Sequence, residues 1–251
     1  MSIAYETEKA IERIRNRRQV RGWLLTALEL LERNGLLGDG HIKCIDFGCS
    51  SCEFVEELRN RHGVKCVAAD YPTVAVKFAE KLGFEAFQFD GCNVESLPSK
   101  YVNYADFVTC LATLEHITDL RSMFQLMNRS LKPRGYLCIA VPNSSSYKDY
   151  FQYMYTGSVA YEGHHFRFLN REKITNLIEE NGFDVVDQQH STVCTAKVLL
   201  AEQAWNWWLK ALKQILLRLV WTKCWDINEE STCQHIDLRV MDWIFLLRKR
   251  D

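Results

Sequence analysis

The sequence predicts an α/β protein built on a doubly wound, mainly parallel sheet. Two observations carry this. Short apolar runs alternate with helix-period segments along most of the chain, and those runs are apolar at consecutive positions, as strands covered on both faces must be. With 251 residues, 47% of them apolar and 25% charged, the chain is long enough to bury such a sheet in one large domain.

The elements follow in order. Residues 4–17 and 19–33 carry helical periods, with Leu24, Leu25, Leu28 and Leu31 predicted to share one apolar face, and "NGLLGDG" at 34–40 is a stop signal. The strand–helix alternation then begins: "IKCIDF" (42–47), a helix over 52–61, "VKCVAAD" (64–70), a helix over 73–82, and "FEAFQFD" (84–90). It continues with "DFVTCLA" (106–112), a helix over 119–131, "GYLCIAV" (135–141), a helix over 171–181, and "FDVVDQQ" (183–189). About fifty residues separate this run from the last one, "DWIFLLRKR" (242–250), too many for a hairpin. They contain "KVLLAEQAWNWWLKALKQILLRLVW", whose polar stripe of Gln203, Asn206, Lys210, Gln214 and Arg218 is narrow. That pattern predicts a lid, or a helix covering a core edge, rather than a membrane span. The expected division is an N-terminal helical cap over 1–40 and a sheet domain over 41–251, with a helical insertion at about 194–235.

Charge and composition exclude several function classes. The formal net charge of −1 supplies no basic field for a polyanion, so nucleic acid is not an expected partner. The N-terminal stretch has no apolar leader core, and no uncharged apolar run reaches the roughly 18 residues of a transmembrane helix, which makes a cytoplasmic protein the expectation. Ten cysteines in a chain of this size read as reduced residues, with Cys44, Cys66, Cys110 and Cys138 packing inside strands as small hydrophobes.

In a doubly wound sheet, ligands sit beyond the carboxyl ends of the strands where strand order reverses. Strand one ends in Asp46, Gly48, Cys49, Ser50, Ser51 and Cys52, small residues that admit a ligand to the backbone and open a helix N-terminus. Strand two ends in Asp70, 24 residues after Asp46, followed by Tyr71; a carboxylate there is placed to accept hydrogen bonds from ribose hydroxyls. Strand three ends in Asp90, Gly91 and Cys92, which offer a carboxylate and backbone groups to a base, and strand four closes on Cys110 and Leu111. Cys49-x-x-Cys52 also admits a redox reading, since a helix N-terminus lowers a thiol pKa. A zinc site needs further ligands, and no partner pair stands at suitable spacing, so no metal is expected.

From strand four onward, "FVTCLATLEHITDLRSMFQLMNRSLKPRGYLCIAVPN" and, later, "GHHFRFLNREKITNLIEENGFDVVD" resemble the class I S-adenosylmethionine-dependent methyltransferases, of the group that includes ubiquinone and small-molecule O-methyltransferases. Leu114, Glu115, His116, Leu131, Lys132, Pro133, Gly135, Pro142 and Asn143 match that family, while Arg134 replaces a glycine of its Leu-Lys-Pro-Gly-Gly turn. The family's Asp-x-Gly-x-Gly-x-Gly loop keeps only Gly48 here, with Ser50 and Cys52 in the later places. The resemblance implies a Rossmann-like seven-stranded sheet with an antiparallel last strand, S-adenosyl-L-methionine as cofactor, and methyl transfer to a small or medium-sized acceptor, most often at oxygen. It makes His164, His165 and His116 the candidates for the base, His164 first, with His116 equally readable as a structural hydrogen-bonder. The Trp-rich segment suggests an aromatic or lipid-like acceptor, and a homodimer stays open. The competing readings are a catalytically silent cofactor-binding scaffold, motivated by the missing glycines, and an NAD-dependent oxidoreductase, disfavoured because Gly-x-Gly-x-x-Gly is absent.

Overall fold

Seven apolar runs become the seven strands of one sheet. The structure, a computed structural model, describes residues 3–17, 22–38, 40–144, 169–192 and 240–250. The strands are β1 (Lys43–Phe47), β2 (Lys65–Asp70), β3 (Glu85–Gln88), β4 (Ala105–Leu111), β5 (Leu131–Pro142), β6 (Phe183–Thr192) and β7 (Val240–Lys249). Their order is β3-β2-β1-β4-β5-β7-β6; β7 runs antiparallel to both neighbours and the other pairs are parallel. The order reverses between β1 and β4, where connections leaving to opposite sides of a doubly wound sheet open a crevice at the carboxyl ends of the strands.

The helices are α1 (Ile3–Arg15), α2 (Trp23–Arg33), α3 (Glu53–His62), α4 (Thr73–Lys81), α5 (Leu120–Ser130) and α6 (Arg171–Glu180). Because side chains alternate along a strand, each strand feeds two cores. Ile45 and Phe47 point to the face covered by Met123, Phe124 and Met127 of α5 and Ile174 and Ile178 of α6. Cys44, Phe107, Cys138 and Ile244 point to the face covered by α2 and α3.

Two expectations are corrected here. The apolar face of α2 is Ala27, Leu28, Leu30 and Leu31, while Leu25 is exposed, because helix and sheet axes set which arc meets the strands. That face shares a core with β1, β4, β5 and β7, so α2 is part of the helix layer itself. Asp187, at a register shift in β6, ties the layer down by accepting from Arg33 (2.6 Å) and Asn34 (2.9 Å) of the α2 terminus. Strand β5 also starts at Leu131, earlier than the predicted 135, since Leu131 pairs with Ala105 across an irregularity in β4. The insertion at 194–235 lies outside the described residues.

Candidate functional site

Strand β1 delivers the chain into a loop pinned to β2: the Gly48 and Cys49 amides both donate to the Ala69 carbonyl, at 2.8 and 3.1 Å. Gly48 has φ 88°, and a Cβ there would lie 2.1 Å from Thr113 Oγ1, so this position tolerates no side chain. Ser50 (φ 51°) and Cys52 (φ 66°) also adopt left-handed backbone. Arg134, at the family's glycine position in the turn before the second half of β5, does the same with φ 60°. The three departures from glycine therefore keep the backbone that glycine would adopt, at a cost of roughly 1–2 kcal/mol each.

Asp70 closes β2 and holds the loop. Its Oδ2 accepts the Ser50 amide at 2.6 Å and its Oδ1 accepts the Tyr71 amide at 2.8 Å. Oδ2 also faces the Cys49 thiol at 3.9 Å, and a carboxylate at this strand end is the acceptor type that ribose hydroxyls need. After β3, Asp90 Oδ1 accepts the Cys92 amide at 2.9 Å, which removes that amide as a donor to a base while Oδ2 stays available. Gly91 is held under Ile117, whose Cδ1 would be 2.7 Å from an added Cβ.

These strand ends surround a cavity of about 450 Å³, within the size range of small-molecule sites. Of the predicted cofactor residues, Asp46, Gly48, Cys49 and Ser50 line it from β1, Asp70 and Tyr71 from β2, Asp90, Gly91 and Cys92 from β3, and Leu111 from β4. His116 lines it too. Cys110 does not: strand alternation turns it into the core on the α5 side, and burial keeps its thiol protonated. His164 and His165 lie outside the described residues. The lining residues that sequence reasoning missed include Arg13 of α1, Trp23 and Leu24 of α2, and Thr113 beyond β4. Of these four, Thr113 alone had a local signal, its place two residues past a strand end.

Burial shapes the site's electrostatics. Asp46 is 4% exposed and is pushed up to about pH 7, by desolvation first and the nearby Asp70 charge second, against the Thr109 hydroxyl that donates to it at 2.6 Å. Glu115 is buried, its Oε2 has no partner among the described residues, and desolvation pushes it up to about 8. The Cys49 thiol is pushed up by its hydrogen bond with Cys52, by burial and by Asp70, opposite to the shift a reactive dithiol needs. Among the described residues, no group of three or more His, Cys, Asp or Glu side chains is arranged to hold a metal, and no helix is long and apolar enough to cross a membrane.

Sequence and structure comparisons converge. The family described as "methyltransferase domain" matches residues 13–188. The ubiquinone biosynthesis O-methyltransferase of Cupriavidus pinatubonensis is 24% identical over 181 residues, covering 67% of this chain and 70% of that protein. Other enzymes of that name align over less than half their length. A S-adenosylmethionine-dependent methyltransferase from Archaeoglobus fulgidus shares the fold with a TM-score of 0.58 at 22% identity, covering 90% of this chain and 93% of that one. Phosphoethanolamine N-methyltransferase 2 of Haemonchus contortus, solved with S-adenosyl-L-methionine, does so with a TM-score of 0.62 at 18% identity, over 96% and 56% of the two chains.

Proposed function

The chain belongs to the methyltransferase-domain family and is an S-adenosylmethionine-dependent methyltransferase; from that premise we propose that the cavity at the β1/β4 crevice holds the cofactor and serves methylation of a hydroxyl on a small or medium-sized acceptor. The observation that carries this is the convergence of Gly48, Asp70 and Asp90, from three successive strand ends, on one cavity. The donor set suits the cofactor. Asp70 supplies a carboxylate at the cavity wall for ribose hydroxyls, Asp90 Oδ2 one for an exocyclic amine, and Arg13 is the one lysine or arginine among the described lining residues, a counter-ion for a carboxylate. The tight Gly48–Thr113 contact is a cradle that any Cβ would fill.

Bound there, S-adenosylmethionine supplies an activated methyl group on a sulfonium. The chain's contribution is chiefly to hold that group and the acceptor in line and to take the acceptor's proton. His116, on the cavity wall, and His164, outside the described residues, are the bases in this reading. Oxygen as acceptor atom is supported by the names of the curated relatives. An aromatic or lipid-like acceptor is supported by the Trp205, Trp207 and Trp208 segment. The retained left-handed backbone at Ser50 and Cys52 removes the main motive for a silent scaffold.

Calorimetric titration with S-adenosylmethionine tests the site: Asp70→Ala should weaken binding by about 1.5–3 kcal/mol through loss of a charged acceptor. Unchanged affinity removes Asp70 from it. Acceptor screening by product mass, with His116→Ala and His164→Ala, then identifies the base as the residue whose loss stops turnover while cofactor binding persists.

A further inference from the structure

The cavity is unequal in charge. Asp46, Glu53, Asp70 and Asp90 line it against the single guanidinium of Arg13 among the described residues. Three of these carboxylates are steadied by nearby donors: Glu53 by the Ser51 hydroxyl at 2.6 Å, Asp70 by two backbone amides, and Asp90 by the Cys92 amide. Asp46 differs. It sits within β1 at 4% exposure, and the hydrogen bond it receives among the described residues is from Thr109 to Oδ1, with none to Oδ2. A charge this poorly solvated acts on a ligand charge more strongly than an exposed one does.

The reaction changes the ligand by one charge. As the methyl leaves, the carbon–sulfur bond breaks with its electron pair kept on sulfur, the carbon–acceptor bond forms, and the acceptor's proton passes to a base. A sulfonium enters the cavity and a neutral thioether must leave it.

We infer that Asp46 discriminates the methyl donor from its demethylated product, its carboxylate favouring the sulfonium and its protonated form giving up that preference. This rests on the reading of the cavity as the S-adenosylmethionine site. With Asp46 raised to about 7, the preference switches around neutral pH. The groups facing Asp46 leave it in control. Cys44 on β1, Cys49 in the loop, Cys110 on β4 and Cys138 on β5 are all thiols pushed upward, hence neutral in this range, and Asp70 on β2 is the charged neighbour that raises it. Arg13, Glu53, Asp90 and His116 share the cavity from α1, α3 and the turns after β3 and β4.

The experiment measures dissociation constants of S-adenosylmethionine and S-adenosylhomocysteine from about pH 6 to 8.5, in wild type, Asp46→Asn, Thr109→Val and His116→Asn. Titration of the ligands themselves is common to all four proteins and cancels between them. Relative to Asp46→Asn, the wild-type preference for the sulfonium should grow by at least roughly 3- to 10-fold as pH rises, the scale of one close charge pair screened as in water. His116→Asn should keep that growth. Thr109→Val should move it to higher pH, because the hydrogen bond favouring the carboxylate is gone. The same pH course in wild type and Asp46→Asn, or loss of the growth in His116→Asn instead, overturns the inference while leaving the cofactor site intact. Absence of binding by either ligand at every pH overturns the site reading and the inference together. Should Asp46→Asn fail to fold, an unshifted Thr109→Val profile overturns the inference alone.

Discussion

Glu115 shows how one side chain sets a pH dependence for the whole chain. Its carboxyl is buried with Oε2 unpartnered among the described residues, and its pKa rises from the ordinary carboxylate range to about 8 through desolvation. The folded state therefore binds the proton more tightly than the unfolded chain does. That contribution to stability is complete below about pH 4 and is lost as pH climbs through 8. Glutamine cannot ionise, so Glu115→Gln should gain on wild type by on the order of 1–3 kcal/mol between about pH 5.5 and 8.5 in urea unfolding. Parallel pH profiles for the two proteins would show that Glu115 does not carry the effect. Asp46 shifts in the same direction, but is present in both proteins and drops out of the difference.

At the scale of elements, the left-handed residues distinguish two kinds of missing glycine. Arg134 is exposed, so nothing but the backbone is at stake. Replacing it by glycine relieves roughly 1–2 kcal/mol of left-handed strain and gives back about 0.5–1 kcal/mol of unfolded-chain entropy. Arg134→Gly should thus raise stability by about 0.5–1 kcal/mol, a melting increase of roughly 1–3 °C by calorimetry; a lower midpoint would mean that the arginine side chain makes a compensating contact. Cys52 is the opposite case. It has the same backbone, yet its side chain is fully buried with Val55, Ala68, Ala79 and Phe84. Glycine there would restore loop freedom, but the cavity that it leaves in the α3–α4 layer offsets the gain.

The whole molecule decides what the N-terminal helices are for. Helix α2 covers the β5–β7 half of the sheet, and with α1 it supplies Arg13, Trp23 and Leu24 to the cavity. A detachable cap could be removed with loss of ligand binding alone. Here, a chain beginning at residue 40 exposes the apolar partners of Ala27, Leu28, Leu30 and Leu31, and should lose its cooperative unfolding transition and bind hydrophobic dyes. A truncated protein that still unfolds cooperatively would restore the cap interpretation. Arg17 adds a second tether, ion-paired to Glu56 of α3 and lying 5.4 Å over the Phe78 ring of α4.

What the sequence determined by itself was everything that depends on neighbours along the chain. Strand and helix periods located each described strand and helix to within a few residues, and the loop chemistry after β1, β2 and β3 marked Gly48, Asp70 and Asp90, because a strand must end where its ligand-facing turn begins. Tertiary structure alone decided which arc of α2 is buried, that Arg13 and Trp23 reach a cavity formed some thirty residues later in the chain, and that Cys110 faces the core while Leu111 lines the site. It also decided the proton affinities of Asp46 and Glu115, which in sequence are ordinary carboxylates. The physical reason is common to these cases: burial is a property of what packs across space, and desolvation energies follow burial rather than residue type.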